Sequence, residues 1–218
     1  MSSFIRRPFQ YTYKNSCVIL IAINFGIYAF SKILGIIDSW IIQKYFALIP
    51  PVTIQYKMFW QVFTYQFLHA DIWHVAFNML AIFFFGIPLE RKIGTKEFLL
   101  FYLLCGTLCG VAGLFIYYYL FIKTGAVVVA IGASGTVFSI MLAFAALFPS
   151  AIIYIWGIIP IPAPLLIIIY AITELYSAFF VHDNVAHSIH LSGLLWAFLY
   201  LVIRFGINPV RIWKNMFR

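Results

Sequence analysis

Charged side chains are scarce in this chain of 218 residues: 9% are Asp, Glu, Lys or Arg, and only six residues are acidic. An average soluble domain has about a quarter of its residues charged. Together with a hydrophobic fraction of 65%, this scarcity excludes an ordinary water-soluble protein and indicates one that lies in a lipid bilayer. The net charge of +8 reflects the lack of acids, so we predict no nucleic-acid partner.

Cysteines are few, and internal repeats and low-complexity tracts are absent. Cys105 and Cys109 lie four residues apart in one apolar run, so we interpret them and Cys17 as free packing thiols rather than disulfides. One membrane domain is the simplest organisation. We divide the chain into a cytoplasmic N-terminal tail (1–15), a membrane domain (16–206) and a basic cytoplasmic C-terminal tail (207–218).

Long apolar runs fill most of the chain, and at about 20 residues per crossing they allow six transmembrane helices. The predicted fold class is an all-α membrane protein, a six-helix bundle. Its helices are predicted at about 17–36, 73–89, 97–121, 131–148, 161–180 and 186–206. The proline-rich stretch 149–162 is predicted as a loop, with a shallow re-entrant segment as the alternative. The aromatic stretch 37–72 suits the membrane interface.

Basic residues mark one side of the membrane. They precede the first helix, follow the second and end the chain, which with six spans places all three clusters on the same side. The clusters are Arg6, Arg7 and Lys14, then Arg91, Lys92 and Lys96, then Arg204, Arg211, Lys214 and Arg218. Basic residues accumulate on the cytoplasmic side, so we expect both termini in the cytoplasm. Short termini without a transit peptide favour a bacterial plasma membrane over an organelle.

Polar side chains inside a helix bundle are costly and tend to mark function. Here they open the second, fourth and sixth predicted helices, which all start from the same, outer face. They are His74 and Asn78, then Ser134, then His187 and His190. Each lies about one to two turns into its helix, roughly 5 to 10 Å at a rise of 1.5 Å per residue. We therefore expect one polar pocket below the outer surface.

The sequence Gly132-Ala133-Ser134-Gly135 places a hydroxyl between small residues at a helix start. Small residues allow close helix packing, and Gly193 and Ala197 offer a matching surface, so the fourth and sixth helices should touch. The first-turn N–H groups have no intrahelical partner and could stabilise an oxyanion.

A neutral His190 could accept the hydroxyl proton of Ser134. The fourth and sixth helices contain no acid at this depth, so we predict a Ser-His dyad rather than a triad. Asp183 and Asn184 are the nearest alternatives, and we expect them to be gate or surface residues. Asn78 and His74 would donate hydrogen bonds to the oxyanion.

In order along the chain, several motifs resemble those of the rhomboid family of intramembrane serine proteases. They are Trp60-Gln61-Val62-Phe63-Thr64, Phe67-Leu68-His69, His74-Val75-Ala76-Phe77-Asn78, Gly86 and Glu90 followed by Gly94, Gly132-Ala133-Ser134-Gly135, and His187-Ser188-Ile189-His190-Leu191-Ser192-Gly193. A lone GxSG is weak evidence, whereas the ordered set is specific.

The resemblance implies a six-helix rhomboid fold and cleavage of transmembrane protein substrates near the outer face without a cofactor. It assigns the nucleophile to Ser134 and the general base to His190. His74, Asn78 and the Ser134 N–H would form the oxyanion hole. Other small or ring-bearing residues would shape the site: Gly132, Gly135, Phe138, His187 and Gly193. Phe138 stands where some members have Tyr, and Ser139 and Ser192 stand where Gly is frequent.

Two other function classes remain open. An inactive rhomboid-like protein that binds membrane clients would be marked by loss of the serine or histidine, and both are present. A transporter using His74, His187 and His190 would need polar groups continuing to the cytoplasmic side, where the helices become apolar. The His187-x-x-His190 spacing could bind zinc, but the HExxH pattern is absent and we predict no metal.

Glu90 and Arg91 are expected to form an interfacial ion pair or to set topology.

Overall fold

The computed structural model describes residues 8–35, 40–155, 157–181 and 186–216, and in them the chain is a bundle of α-helices with one small hairpin. The predicted all-α membrane fold is confirmed. In chain order the helices are α1 (Ser16–Gly35), α2 (Ile41–Phe46), α3 (Pro50–Gln55), α4 (Gln61–Thr64), α5 (Ile72–Ala81), α6 (Ile87–Ile93), α7 (Thr95–Thr124), α8 (Ser134–Leu147), α9 (Ala163–Phe180), α10 (His187–Tyr200) and α11 (Pro209–Met216).

Among the described residues, five helices are long and apolar enough to cross a membrane. They are α1, the continuous helix Ile72–Ile93 formed by α5 and α6, α7, α9, and the continuous helix His187–Phe205 that contains α10. Single π-helical turns, Ile82–Gly86 and Leu201–Phe205, lie within the two composite helices. Their order and positions agree with the apolar runs of the sequence.

The remaining apolar helix, α8, corresponds to the fourth predicted helix and is shorter than the predicted segment 131–148. It has 14 residues and is buried from Gly135 to Ala146, so the other helices surround it. At a rise of 1.5 Å per residue it is about 21 Å long, less than the hydrocarbon thickness of about 30 Å. The first residues of the predicted segment form an extended approach instead, so Ser134 begins α8 in the interior of the bundle.

The approach to α8 is fixed by the interfacial region that precedes α5. Leu48 and Ala130 exchange backbone hydrogen bonds of 3.0 and 2.9 Å, and the Gly132 N–H donates to the Tyr65 carbonyl at 3.0 Å. These bonds satisfy backbone groups that no helix pairs, which a membrane interior requires. The aromatic segment 37–72, described from residue 40, therefore positions the start of α8.

The prediction of a loop over 149–162 is wrong. Strands β1 (Ile152–Ile155) and β2 (Ile159–Pro162) form an antiparallel hairpin in which Ile152 pairs with Pro162. Gly157, at φ +73°, lies in its turn. A two-stranded hairpin has only edge strands, which tolerate the missing N–H of proline. Pairing also satisfies the backbone of a segment that is apolar throughout.

The expected contact between the fourth and sixth predicted helices, which are α8 and α10 in the structure, is confirmed. A Cβ atom on Gly193 of α10 would lie 2.1 Å from the carbonyl oxygen of Gly135 on α8. Ala197, one turn further along α10, is fully buried. Small residues thus bring the two backbones together, as they do in many membrane helix pairs.

Glu90 was expected to pair with Arg91 or to set topology, and its observed contacts are different. Its carboxylate is fully buried and accepts hydrogen bonds from the Ser16 N–H at 2.8 Å and the Cys17 N–H at 2.9 Å. Arg91 instead donates to the Tyr13 hydroxyl. Glu90 accepts from the free N–H groups at the start of α1, and its negative charge interacts favourably with the positive end of the α1 dipole. The three cysteines are free and buried, as predicted.

Candidate active site

Ser134 and His190 are in direct contact. Ser134 is the first residue of α8 and His190 the fourth of α10, and Ser134 Oγ lies 2.7 Å from His190 Nε2. That is an ordinary hydrogen-bond distance for a hydroxyl and an imidazole. The proximity of Gly135 to Gly193 brings these two helix starts close enough for the contact.

Phe138 lies against the ring of His190. The ring centroids are 4.6 Å apart and the planes differ by 10°, a stacked arrangement. Phe138 is one turn after Ser134 on α8, so a single helix presents both the hydroxyl and a surface that fixes the plane of the imidazole. Tyr170 of α9 packs on Phe138 in turn, at a centroid distance of 5.9 Å.

The second nitrogen of His190 faces a carboxylate that the sequence analysis did not consider. Glu174, on α9, places Oε1 3.1 Å from His190 Nδ1 and Oε2 2.6 Å from His187 Nδ1. The predicted dyad rests on the lack of an acid in the fourth and sixth predicted helices, whereas Glu174 lies in the fifth. A usable signal was present, because Glu174 is the single acidic residue between 163 and 180 and intramembrane carboxylates tend to be functional.

His74 and Asn78 lie against Gly132, two residues before Ser134. Gly132 has a φ of +117°, which glycine adopts without a Cβ penalty. A Cβ here would lie 2.6 Å from His74 Nε2 and 3.8 Å from Asn78 Nδ2. The backbone two residues before Ser134 therefore directly approaches both side chains.

Two polar side-chain atoms, Asn78 Nδ2 and His74 Nε2, face this backbone. Asn78 Nδ2 is buried and has no hydrogen-bond partner among the described residues, which is rare for a buried amide and calls for an explanation. His74 Nδ1 lies 3.5 Å from the Ala70 N–H, which favours the neutral tautomer protonated on Nε2, the nitrogen that faces Gly132. The Ser134 N–H belongs to the first turn of α8, where no intrahelical acceptor exists.

Ser139 and Ser192, which stand where the family frequently has glycine, are accommodated by hydrogen bonds to backbone carbonyls. Ser139 Oγ lies 3.0 Å from the Gly135 carbonyl oxygen and 2.8 Å from that of Gly193, across the contact between the helices. Ser192 Oγ donates to the Ile189 carbonyl at 2.7 Å. Both hydroxyls are satisfied without separating α8 from α10.

Asp71 and His69 lie beside His74. The backbone N–H of His74 donates to Asp71 at 2.9 Å, which caps α5 and holds the pKa of that carboxyl below its usual range. His69 is buried against the ring of His74, and burial, with a smaller effect of His74, lowers its pKa to about 4. Asp183 and Asn184, the predicted gate or surface residues, lie outside the described residues.

The architecture and this arrangement define a class: a multi-pass membrane protein with a serine and a histidine in contact at the starts of two packed helices. The Rhomboid domain model matches residues 56–207. The chain therefore belongs to the rhomboid family.

Relatives with the same family name occur in plants and bacteria. The chain is 33% identical over 166 residues to RHOMBOID-like protein 12, mitochondrial, of Arabidopsis thaliana, covering 71% of this chain and 47% of the relative. It is 29% identical over 169 residues to RHOMBOID-like protein 1 of that plant, covering 76% and 40%. YdcA of Bacillus subtilis (strain 168), named provisionally as a rhomboid protease, is 30% identical over 142 residues, 64% of each chain. The chain thus spans less than half the length of the two plant relatives.

Proposed function

We propose that this protein is an intramembrane serine endopeptidase that hydrolyses peptide bonds in or near transmembrane segments of other membrane proteins. The observation that carries the proposal is the 2.7 Å contact between Ser134 Oγ and His190 Nε2 at the starts of α8 and α10. Membership of the rhomboid family and the name of the Bacillus relative support it.

In the proposed reaction Ser134 Oγ attacks the carbonyl carbon of the substrate, and His190 Nε2 takes the hydroxyl proton. The C–N bond then breaks as His190 returns that proton to the departing amine. A water molecule, deprotonated by the same nitrogen, hydrolyses the acyl-enzyme and regenerates Ser134. No cofactor is required for these steps.

The negative charge that develops on the carbonyl oxygen would be stabilised by Asn78 Nδ2, by the Nε2–H of His74 and by the Ser134 N–H. The buried, unpartnered amide of Asn78 supports this assignment, because a donor held ready for a transient oxyanion lacks a ground-state partner. One such donor is worth about 100 to 1000-fold in rate. Gly132, Gly135 and Gly193 would allow the close approach that the site requires.

We also propose that both termini face the cytoplasm and that the site opens to the opposite side, in a bacterial plasma membrane. The distribution of basic residues supports this orientation. Fusions of a reporter active only in the cytoplasm to residue 218 and to the loop 125–130 test it: the terminal fusion should be active and the loop fusion inactive. The reverse pattern would invert the topology.

The catalytic proposal is tested by cleavage of a labelled single-span membrane protein by the purified protein in detergent, with Ser134→Ala and His190→Ala beside it. Cleavage and fluorophosphonate labelling of Ser134 should be lost in Ser134→Ala, and cleavage should fall at least about 1000-fold in His190→Ala. A wild-type protein that neither cuts several substrates nor reacts with the fluorophosphonate would instead be an inactive client-binding member of the family.

A further inference from the structure

Glu174 is the one acidic residue on α9, and its carboxylate faces the site rather than the lipid. Its side chain is 14% exposed, and the side chains of His190 and His187 that it contacts are 9% and 12% exposed. A carboxylate in an apolar helix is costly unless it is paired. Both of its oxygens have a histidine nitrogen as partner, one from each of two residues that share a face of α10.

The three groups Ser134, His190 and Glu174 follow one another in the order that base catalysis requires. Ser134 Oγ is 2.7 Å from Nε2 of the imidazole, and Glu174 Oε1 is 3.1 Å from Nδ1 of the same ring. A carboxylate at Nδ1 favours the tautomer protonated on that nitrogen. This leaves the lone pair of Nε2 free to accept the hydroxyl proton of Ser134.

We propose that Glu174 is a positioning residue of the site, which holds His190 in the tautomer and orientation needed to deprotonate Ser134 and stabilises the imidazolium formed in that step. The inference rests on the proposed protease function. It replaces the Ser-His dyad expected from the sequence by a Ser-His-Glu arrangement drawn from three helices.

The geometry sets limits on the strength of this effect. Nδ1 of His190 lies within ion-pair distance of Glu174 Oε1, at 3.1 Å, but this contact does not meet the geometry of a hydrogen bond. The second oxygen of Glu174 is engaged by His187, and Phe138 also fixes the His190 ring. Loss of the carboxylate should therefore cost less than the roughly 10,000-fold caused by the Asp to Asn change in soluble serine proteases.

A metal site built from Glu174, His187 and His190 is the alternative, since their ligand atoms all lie within 4.8 Å of one another. Zinc bonds of about 2.0 to 2.2 Å in a tetrahedron separate neighbouring ligand atoms by roughly 3.3 Å. The distance of 2.6 Å between His187 Nδ1 and Glu174 Oε2 is shorter and fits a hydrogen bond. The arrangement present therefore favours direct pairing of the three side chains.

The test compares Glu174→Gln, which keeps the shape and removes the charge, with Glu174→Asp, which keeps the charge. Full-length protein in detergent is assayed for kcat and KM on a single-span substrate, for the rate of fluorophosphonate labelling, and for the midpoint of thermal unfolding. Thr173→Val is the matched control, because among the described residues the Thr173 hydroxyl donates within α9, to the Tyr170 carbonyl.

Glu174→Gln should lower kcat and the labelling rate by about 10 to 100-fold, with KM within about threefold and the unfolding midpoint near that of the wild type. Glu174→Asp should recover part of the loss, and Thr173→Val should match the wild type. A merely structural residue would change the midpoint without a selective loss of kcat.

Three results would overturn the proposal. Glu174→Gln with wild-type kcat and labelling would remove the positioning role while leaving the protease function intact. Wild-type activity that falls on treatment with EDTA and returns with zinc would favour the metal site. A wild-type protein without Ser134-dependent labelling would overturn the proposed function itself, and with it any role for Glu174 in that reaction.

Discussion

Gly193 of α10 packs directly on the backbone of Gly135 in α8: an added Cβ would lie 2.1 Å from the Gly135 carbonyl oxygen. Gly135 follows Ser134, and Gly193 lies one turn after His190. The distance between the proposed nucleophile and base is therefore set by the same contact that joins the two helices. Separation of the helices at this point necessarily moves Ser134 away from His190.

Gly193→Ala should accordingly reduce activity through geometry. The methyl group must push α10 away from α8, because the atom it meets is backbone and cannot rotate aside. A displacement of about 1 Å can cost on the order of 100-fold in rate. We expect a comparable loss of kcat, with a lower unfolding midpoint, measured by cleavage of a single-span substrate and by reaction of the buried cysteines with a thiol dye on heating.

Gly26→Ala is the control for this change. Gly26 lies in α1, and a Cβ there would meet nothing within 4 Å. Activity should be unchanged and stability equal or slightly higher, since alanine is the better helix former. Equal effects of the two substitutions would contradict the role assigned to the contact between α8 and α10.

Asn78→Ala separates an oxyanion donor from a residue that merely joins helices. In the part of the chain that the structure describes, the Nδ2 group has no partner, so its removal deletes no observed hydrogen bond of that group. We expect kcat to fall by about 100 to 1000-fold, while the unfolding midpoint changes little. Steady-state cleavage and thermal unfolding of the same preparations measure both quantities. A large fall in the midpoint with kcat preserved would make Asn78 a packing residue instead.

Features fixed by local sequence were the predictable ones. The lengths of apolar runs gave the order of the helices, and the shared depth of Ser134 and His190 predicted their meeting because both begin helices that enter from one face. The positions of Gly135 and Gly193 predicted the contact between α8 and α10, because small residues at matching depths on two helices let their backbones approach closely.

Features that depend on tertiary arrangement were missed. The pairing of Glu174 with His190 depends on how α9 packs against α10, and no pattern within either helix predicts that packing. Glu90 accepts from N–H groups 73 and 74 residues earlier, so its neighbour Arg91 was a misleading partner. The hairpin of β1 and β2 was hidden by prolines that usually break structure but are tolerated on edge strands.

Glu90→Gln should destabilise the protein without changing its chemistry. An amide in place of the buried carboxylate would present an N–H donor to the N–H groups of Ser16 or Cys17, and the negative charge at the start of α1 would be lost. Charge-assisted hydrogen bonds are worth about 1.5 to 3 kcal/mol. We expect a loss of roughly 3 kcal/mol and a midpoint lower by about 5 to 10 °C.

In that variant kcat measured well below the midpoint should be within about threefold of the wild type, because Glu90 lies at the end of its helix opposite to His74. Ser134→Ala provides the reciprocal control, with a normal midpoint and no cleavage. A Glu90→Gln protein that is fully stable would show that the free N–H groups of α1 are satisfied in another way.

His69 should make stability fall under mildly acidic conditions. Burial lowers its pKa from 6.5 to about 4, so between these values the unfolded chain binds a proton that the folded protein does not. The contribution is complete above about pH 6.5 and is lost progressively as the pH falls towards 4, by at most roughly 3 kcal/mol. Thermal unfolding followed by tryptophan fluorescence from pH 7.5 to 4 measures this slope. His69→Phe, which keeps an aromatic ring against His74 and cannot titrate, should show a smaller slope, and parallel curves for the two proteins would place the acid sensitivity in another group.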